Sequence, residues 1–253
     1  MPANQQAVVA AFWEARAKGE YFPKHWFGKL TLDEAYHILF GLIARRCEAG
    51  ERQIGWKVGL TAKAIQQQFG FHEPVFGCIL DRTDSGHIFR ADELIKPGFE
   101  PELCVVLNRD ISGKIDVETA RAAIGSVHPS LEIIETRGPF TEQIALAMAD
   151  NAQQKTVVLG AAVPFPVAPE AVEAVVRING NEVATGRGDA VLGDPLNSVV
   201  WLAGKLQEYG RTLKAGELIM TGSFTRQFPI TPGDRIRVEF SGVGAVETGM
   251  AAG

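Results

Sequence analysis

Apolar positions in the first fifty residues recur at helical spacing, with Val8, Val9, Phe12 and Trp13 marking one helix. A stretch rich in aromatic residues and carrying Pro23, residues 21–27, breaks the pattern. Thr31 and Glu34 then form a capping-box signature. Behind it Leu32, Ala35, Tyr36, Leu39, Phe40 and Ile43 make the apolar face of a second helix, predicted to end near Gly50. From residue 54 the texture changes to short apolar runs punctuated by Gly, Pro and Asp. This predicts strands near 54–59, 100–107, 130–134, 157–160, 174–178, 217–221 and 235–240. Asn179-Gly180 reads as a hairpin turn, and 231–234 as a turn leading into a strand. Helices are predicted at 62–69, at 117–124 and after Asp194-Pro195, an N-cap followed by Pro at the first helical position. Residues 161–169 read as a loop.

Strands and helices do not alternate regularly, so the pattern predicts an α+β fold rather than a Rossmann or TIM architecture. It divides into a helical N-terminal portion, residues 1–53, and a main domain, residues 54–253. With 253 residues, 46% of them hydrophobic, the chain can build a substantial core. No window approaches the roughly 18–20 consecutive apolar residues of a membrane span. The N-terminus lacks the basic start of a signal peptide. Cys47, Cys78 and Cys104 are far apart and have no zinc spacing. Their odd number suits a reducing compartment, so a cytoplasmic location with buried thiols is the expectation. A net charge of -5 argues against a general nucleic-acid partner.

The carboxylates carry the chemistry. In Phe99-Glu100-Pro101-Glu102-Leu103 the two glutamates stand two apart, which in a strand puts them on one side. Two carboxylates leading into an apolar run repel each other and lose hydration, a conflict that a divalent cation removes. Oxygen-only ligation favours Mg²⁺ or Mn²⁺ over Zn²⁺. Pro101 donates no backbone bond, so an edge or a bulge is expected there. Taken alone, this pattern also suits an exposed strand; Glu132, in a second apolar strand, adds a third carboxylate. Glu135 is expected to face away from Glu132 and to pair with Arg137 at the surface. Lys57 lies in an apolar, Gly-flanked strand, either as a proton shuttle or charge holder or as a strand-end lysine reaching for solvent.

Other motifs do not hold up. Gly186-Arg187-Gly188 is too short for a phosphate loop, and no Walker-type sequence occurs. The five histidines form no metal-binding pattern, and His128, before Pro129, reads as a loop residue. Gly222-Ser223-Phe224-Thr225 is not a nucleophile elbow. The segments 22–27 and 81–89 are lid candidates by position and composition.

Five motifs in register then carry a resemblance: residues 55–61 (GWKVGLT), 99–103 (FEPEL), 131–133 (LEI), 149–151 (ADN) and 192–197 (LGDPLN). Together they resemble the 2-keto-4-pentenoate hydratase / 4-oxalocrotonate decarboxylase family of the fumarylacetoacetate hydrolase superfamily, over about residues 35–249. The resemblance implies a mixed β-roll core of that type with a helical N-terminal portion. It implies a divalent metal, Mg²⁺ or Mn²⁺, held by Glu100, Glu102 and Glu132, and catalysis by Lys57. It places substrate contacts at Val75, Gln153, Ser223 and Thr225. The substrates implied are 2-oxo or 2-hydroxy-dienoic acids of aromatic meta-cleavage pathways, and the assembly implied is a homo-oligomer, with a complex with a pathway enzyme as a further option. Val75 stands where many hydratases of the family carry Asp, Gln153 where Ser is common, and Asp194 where His is common. Leu196-Asn197 and residues 222–225 resemble the hydratases. Hydratase is the leading reading. Decarboxylation of a 2-oxo-3-enedioate, with Arg226 meeting the second carboxylate, is the first alternative, ahead of acylpyruvate hydrolysis and a non-catalytic role.

Overall fold

The structure, a computed structural model, describes residues 3–68, 70–165 and 168–253. The N-terminal pattern folds as predicted into α1 (Ala3–Ala17) and α2 (Leu32–Glu48). Thr31 and Glu34 close the capping box: the Thr31 hydroxyl accepts from Glu34 N–H at 3.2 Å, and the Glu34 carboxylate accepts from Thr31 N–H at 2.9 Å.

The strands follow in chain order as β1 (Gly55–Gly59), β2 (Val75–Ile79), β3 (Arg82–Asp84), β4 (Ile88–Phe89), β5 (Pro97–Leu107), β6 (Ile124–Glu135), β7 (Gln154–Leu159), β8 (Glu173–Ile178), β9 (Asn181–Arg187), β10 (Leu218–Ser223), β11 (Phe228–Pro229), β12 (Arg235–Phe240) and β13 (Gly244–Met250). The helices between them are α3 (Lys63–Gln68), α4 (Val117–Ala122), α5 (Ile144–Ala149) and α6 (Leu196–Glu208). Phe69, the predicted end of α3, and residues 166 and 167 of the predicted loop lie outside the described residues. Asp194 caps α6 by accepting from Leu196 N–H at 2.7 Å, and Asn179-Gly180, both at positive φ, turns β8 into β9.

The large sheet runs β2-β1-β10-β5-β6-β7-β3, with β11 added on β5. It is mixed: β1 pairs parallel with β10 and β3 with β7, and the other ladders are antiparallel. Because β3 follows β2 in the chain and pairs with β7, the sheet curls back on itself into a half-barrel. The smaller sheet, β4-β13-β12-β8-β9, packs through β13 against β6 and β7. One face of the large sheet carries the main core with α2 and α5, where Tyr36 stacks on Phe76 at 4.1 Å. The inner face carries a smaller apolar cluster: Ile79, Cys104, Val157, Leu159, Leu218 and Met220.

Several expectations need correction. His128 is not in a loop: it lies inside β6, and its Nδ1 is 2.7 Å from the Gly160 carbonyl. Pro129 stands one pair beyond the last residue of β7, where its carbonyl still accepts from Gly160 N–H and the Gly160 carbonyl is met by His128 Nδ1 instead of a Pro129 N–H. Residues 81–89 are not a lid, since β3 and β4 build them into the two sheets. Pro101 is four residues inside β5 but does face a bulge, the register shift in β10 between Met220 and Ser223. Cys78 and Cys104 are buried as expected, whereas Cys47 is exposed.

Candidate metal centre and pocket

Strand period and register assemble the acidic group. Glu100 and Glu132 are directly opposite each other in the β5–β6 ladder, and Glu102 is two residues from Glu100 on the same face. Their carboxylate oxygens come within 4.8 Å of one another. Glu102 and Glu132 are fully buried, and Glu100 is half-buried at the edge of a cavity. The bulge in β10 turns Gly222 N–H onto Glu102 Oε2 at 2.8 Å. Only glycine serves here: its φ is +118°, and a Cβ would stand 2.5 Å from Thr61 Oγ1.

Lys57 reaches the group from β1. Its Nζ is 3.1 Å from Glu132 Oε1 and 3.3 Å from Oε2, and it donates to Oε2. Burial works to lower the Lys57 pKa, but Glu132, Glu100 and Glu102 more than offset it and hold the ammonium above its ordinary value. Burial, and then the neighbouring Glu132, pushes the Glu100 carboxyl up to about 7. Glu102 is raised well above the ordinary carboxylate value by the same two causes and by Glu100. Glu132 is raised by burial against the pull of Lys57.

The residues fit a divalent cation. When all are ionised, the three carboxylates and one ammonium leave two negative charges uncompensated in a buried site. Glu102 Oε1 and Glu132 Oε1 are buried without an aligned hydrogen-bond donor, the latter despite its proximity to the ammonium. Hard oxygen donors of this kind suit Mg²⁺ or Mn²⁺.

Above this group lies a cavity of about 570 Å³. Lys57, Glu100, Val75 and Gln153, four of the residues singled out from sequence, line it. Glu102 and Glu132 lie beneath. Ser223 and Thr225 are not in the lining: Ser223 pairs with Glu102 across the ladder, and the Thr225 hydroxyl donates to the Arg226 carbonyl. Arg226 is not in the lining either; its guanidinium lies 4.1 Å over the Phe228 ring. Gly59 and Leu60 of the 55–61 motif line it too, and most of the remaining wall has no signature in the sequence. It includes Ile65, Ile134, Pro139, Phe140 and Gln227, most of them apolar and carrying no motif.

The wall is braced from behind by a buried ion network. Arg137, with a side chain 2% exposed, donates to Glu135 Oε2 at 2.8 Å, to Asp150 Oδ2 and to the Asp150 carbonyl at 2.9 Å. Arg16 of α1 holds Asp150 Oδ1 at 2.9 Å. The Glu135–Arg137 pair is therefore buried, not on the surface as expected, because the N-terminal segment folds over it; Tyr21 lies 5.4 Å from the guanidinium. Next to Asp150, the non-glycine residues Asn151, Ala152 and Gln153 have φ of +60°, +49° and +61°. Such conformations cost of order 1 kcal/mol each and persist only where the surroundings impose them.

A half-barrel with an acidic cluster on its inner face and a lysine beside it defines a class of metal-site enzyme, and comparison with known proteins agrees. The model of the fumarylacetoacetate (FAA) hydrolase C-terminal family matches residues 82–251. The chain is 32% identical to a 2-keto-4-pentenoate hydratase of Paraburkholderia xenovorans, covering 98% of this chain and 95% of that protein. It is 33% identical to a 4-oxalocrotonate decarboxylase of Pseudomonas putida, covering 87% and 86% respectively. The solved 4-oxalocrotonate decarboxylase of Pseudomonas putida G7, complexed with magnesium and adipate, superimposes with a TM-score of 0.91 at 30% identity over 99% of this chain and 98% of that one. A fumarylpyruvate hydrolase of Pseudomonas aeruginosa shares the fold at a TM-score of 0.61 and 16% identity, covering 80% of this chain and 91% of that one. The chain belongs to the fumarylacetoacetate hydrolase family, in the branch of 2-keto-4-pentenoate hydratases and 4-oxalocrotonate decarboxylases.

Proposed function

We propose that the protein is a metal-dependent hydratase that adds water to a 2-hydroxy-2,4-dienoate of the 2-hydroxypenta-2,4-dienoate type, giving a 4-hydroxy-2-oxo acid. One observation carries the choice of reaction. Among the described residues, Lys57 is the only cationic side chain lining the cavity, and the wall around it is largely apolar. That lining suits a substrate with one charged end at the carboxylate cluster and an uncharged tail. A 2-oxo-3-enedioate would bring a second carboxylate with no cation to meet it.

Glu100, Glu102 and Glu132 would hold Mg²⁺ or Mn²⁺. Such a cation polarises a 2-oxo group and stabilises the negative charge that develops on its oxygen. The chain's own residues then govern proton and water placement. Hydration needs a proton to leave the 2-hydroxyl and one to reach C5; water oxygen then bonds to C4 and a proton reaches C3. Lys57 Nζ, held as an ammonium by Glu132, can deliver a proton or stabilise charge at the substrate oxygen. Gln153 donates through Nε2 to the Gly138 carbonyl at 3.1 Å, which leaves its amide oxygen to accept from a water. Val75 and Phe140 keep the rest of the wall dry. Within the N-terminal portion, residues 1–53, the described segment around Phe22 acts as a brace: Phe22 packs on Gly138 of the wall, where a Cβ would meet the ring at 2.3 Å.

Val75 favours the second reading, decarboxylation of a 2-oxo-3-enedioate, because the position offers no carboxylate to handle a proton. Turnover of both substrates by the same Mg²⁺-loaded preparation separates the two. A kcat/KM at least tenfold higher on the dienoate, with no CO₂ released, supports hydration; the reverse ratio with CO₂ release assigns decarboxylation. The reading extends to a cytoplasmic homo-oligomer, able to dock the enzyme that supplies its substrate, and sedimentation of the chain alone and mixed with that enzyme tests it. No helix of the described residues is long and apolar enough to cross a membrane.

A further inference from the structure

The left-handed run at 151–153 has a consequence for the lysine. The Asn151 carboxamide does for β2 what a neighbouring strand would do. Its Oδ1 accepts from Cys78 N–H at 2.7 Å, and its Nδ2 donates to the Cys78 carbonyl at 2.8 Å. Among the described residues no strand pairs with the outer side of β2 at Cys78, so these two bonds close the seam where the curled sheet brings β2 towards β7. The same group stands over Gly77, the register partner of Lys57. A Cβ at Gly77 would lie 3.1 Å from Asn151 Oδ1, 3.2 Å from Asn151 O and 3.3 Å from Lys57 Cγ. The Lys57 stem thus runs across a gap that Gly77 leaves open and Asn151 closes.

The backbone conformation needed for this is imposed from outside. Three successive non-glycine residues do not rest in the left-handed region unaided. Arg137 grips both the carboxylate and the carbonyl of Asp150 on one side of the run, and Gln153 is tied to Gly138 on the other. Asn151 is not in the cavity lining, so any effect it has on the reaction passes through Lys57 or through the neighbouring Ala152 and Gln153, which are.

We propose that Asn151, braced by the Arg137–Asp150 pair, is a positioning residue that fixes where Lys57 and Gln153 stand in the pocket. The proposal rests on Lys57 being the group that handles proton or charge in the reaction above. The test compares the Mg²⁺-loaded wild type with Asn151→Gly, which tolerates the left-handed backbone but removes the carboxamide. The expected result is a kcat at least tenfold lower, with KM and Mg²⁺ affinity within threefold, and exchange of the Cys78 amide hydrogen at least tenfold faster. A folded variant that keeps kcat within twofold while Cys78 exchange accelerates overturns the proposal and leaves Asn151 a seam closure only. Should Asn151→Gly not fold, Arg137→Lys serves instead, since one ammonium cannot make the forked contacts of the guanidinium. It should lower kcat at least threefold with KM unchanged, and full retention of kcat overturns the bracing role. Lys57→Met, assayed in parallel, keeps the two claims apart: if it retains kcat, the reading of Lys57 fails, and if it loses kcat while Asn151→Gly does not, only the positioning claim fails.

Discussion

Lys57 Nζ stands 3.1 Å from Glu132 Oε1, with the two side chains 6% and 0% exposed. One buried ammonium thus faces three carboxylates brought together from two adjacent strands. The pairing makes the lysine a fixed charge beside the acidic group rather than a ligand competing with it. Substituting Lys57→Met should lower kcat by ~10²-fold or more, the usual size of a lost proton-transfer group. Mg²⁺ affinity should hold or rise, because a neighbouring positive charge is gone. Steady-state kinetics and calorimetric titration of Mg²⁺ check the two halves separately, and unchanged kcat would return Lys57 to a structural role.

Glu102→Gln keeps the size of a fully buried side chain and removes its charge. It should weaken Mg²⁺ binding by ~100-fold or more while leaving the metal-free chain at least as stable, because the buried carboxylates repel one another. Thermal unfolding with and without Mg²⁺ reads both effects: the melting-temperature gain on adding Mg²⁺ should largely vanish in the variant. An undiminished gain would place the cation elsewhere.

The raised carboxyls set the direction of the pH dependence. Glu100, at about 7, and Glu102, higher than normal, take up protons in the metal-free chain that a cation must displace. Metal affinity should therefore fall as pH drops below about 7, and binding at pH 6 should release protons, measurable by calorimetry in buffers of different ionisation enthalpy. The sign for folding follows from the same shift. A carboxyl whose folded pKa lies above its unfolded value favours the folded state below the unfolded pKa, and that contribution is lost as pH rises through the folded value. The metal-free protein should thus lose stability between about pH 4.5 and 7, where Glu100 titrates, and the stabilisation by Mg²⁺ should grow over the same window. A pH-independent metal affinity would show that Glu100 and Glu102 do not hold the cation.

Gly222→Ala tests the bulge. A methyl group there would meet Thr61 Oγ1 at 2.5 Å on a backbone with φ of +118°. The substitution should cost about 2 kcal/mol of stability. It should also weaken metal binding by moving the N–H that orients Glu102, read by urea unfolding and by Mn²⁺ titration.

What was legible in the sequence had a local signature. The period of two put Glu100 and Glu102 on one face, and a charged residue inside an apolar run marked Glu132 and Lys57. The capping box at Thr31 and the cap at Asp194 were legible because both act within a few residues. Contacts between distant segments were not. Nothing near Arg137 signals that Arg16 and Tyr21 fold over it and turn a surface pair into a buried one. The motif 149–151 was visible, but the role of Asn151 depends on Cys78, 73 residues away. Pro129 suggested a loop because only tertiary pairing reveals that its carbonyl takes a ladder bond from Gly160 N–H while His128 Nδ1 meets the Gly160 carbonyl.

The most direct measurement is proton NMR of 2-hydroxypenta-2,4-dienoate incubated with the purified protein and Mg²⁺, against the same sample with EDTA. A 4-hydroxy-2-oxo acid should accumulate with Mg²⁺ and should not with EDTA. Folded, Mg²⁺-loaded protein that leaves the dienoate unchanged, or converts it equally well in EDTA, would contradict hydration at the carboxylate cluster beside Lys57.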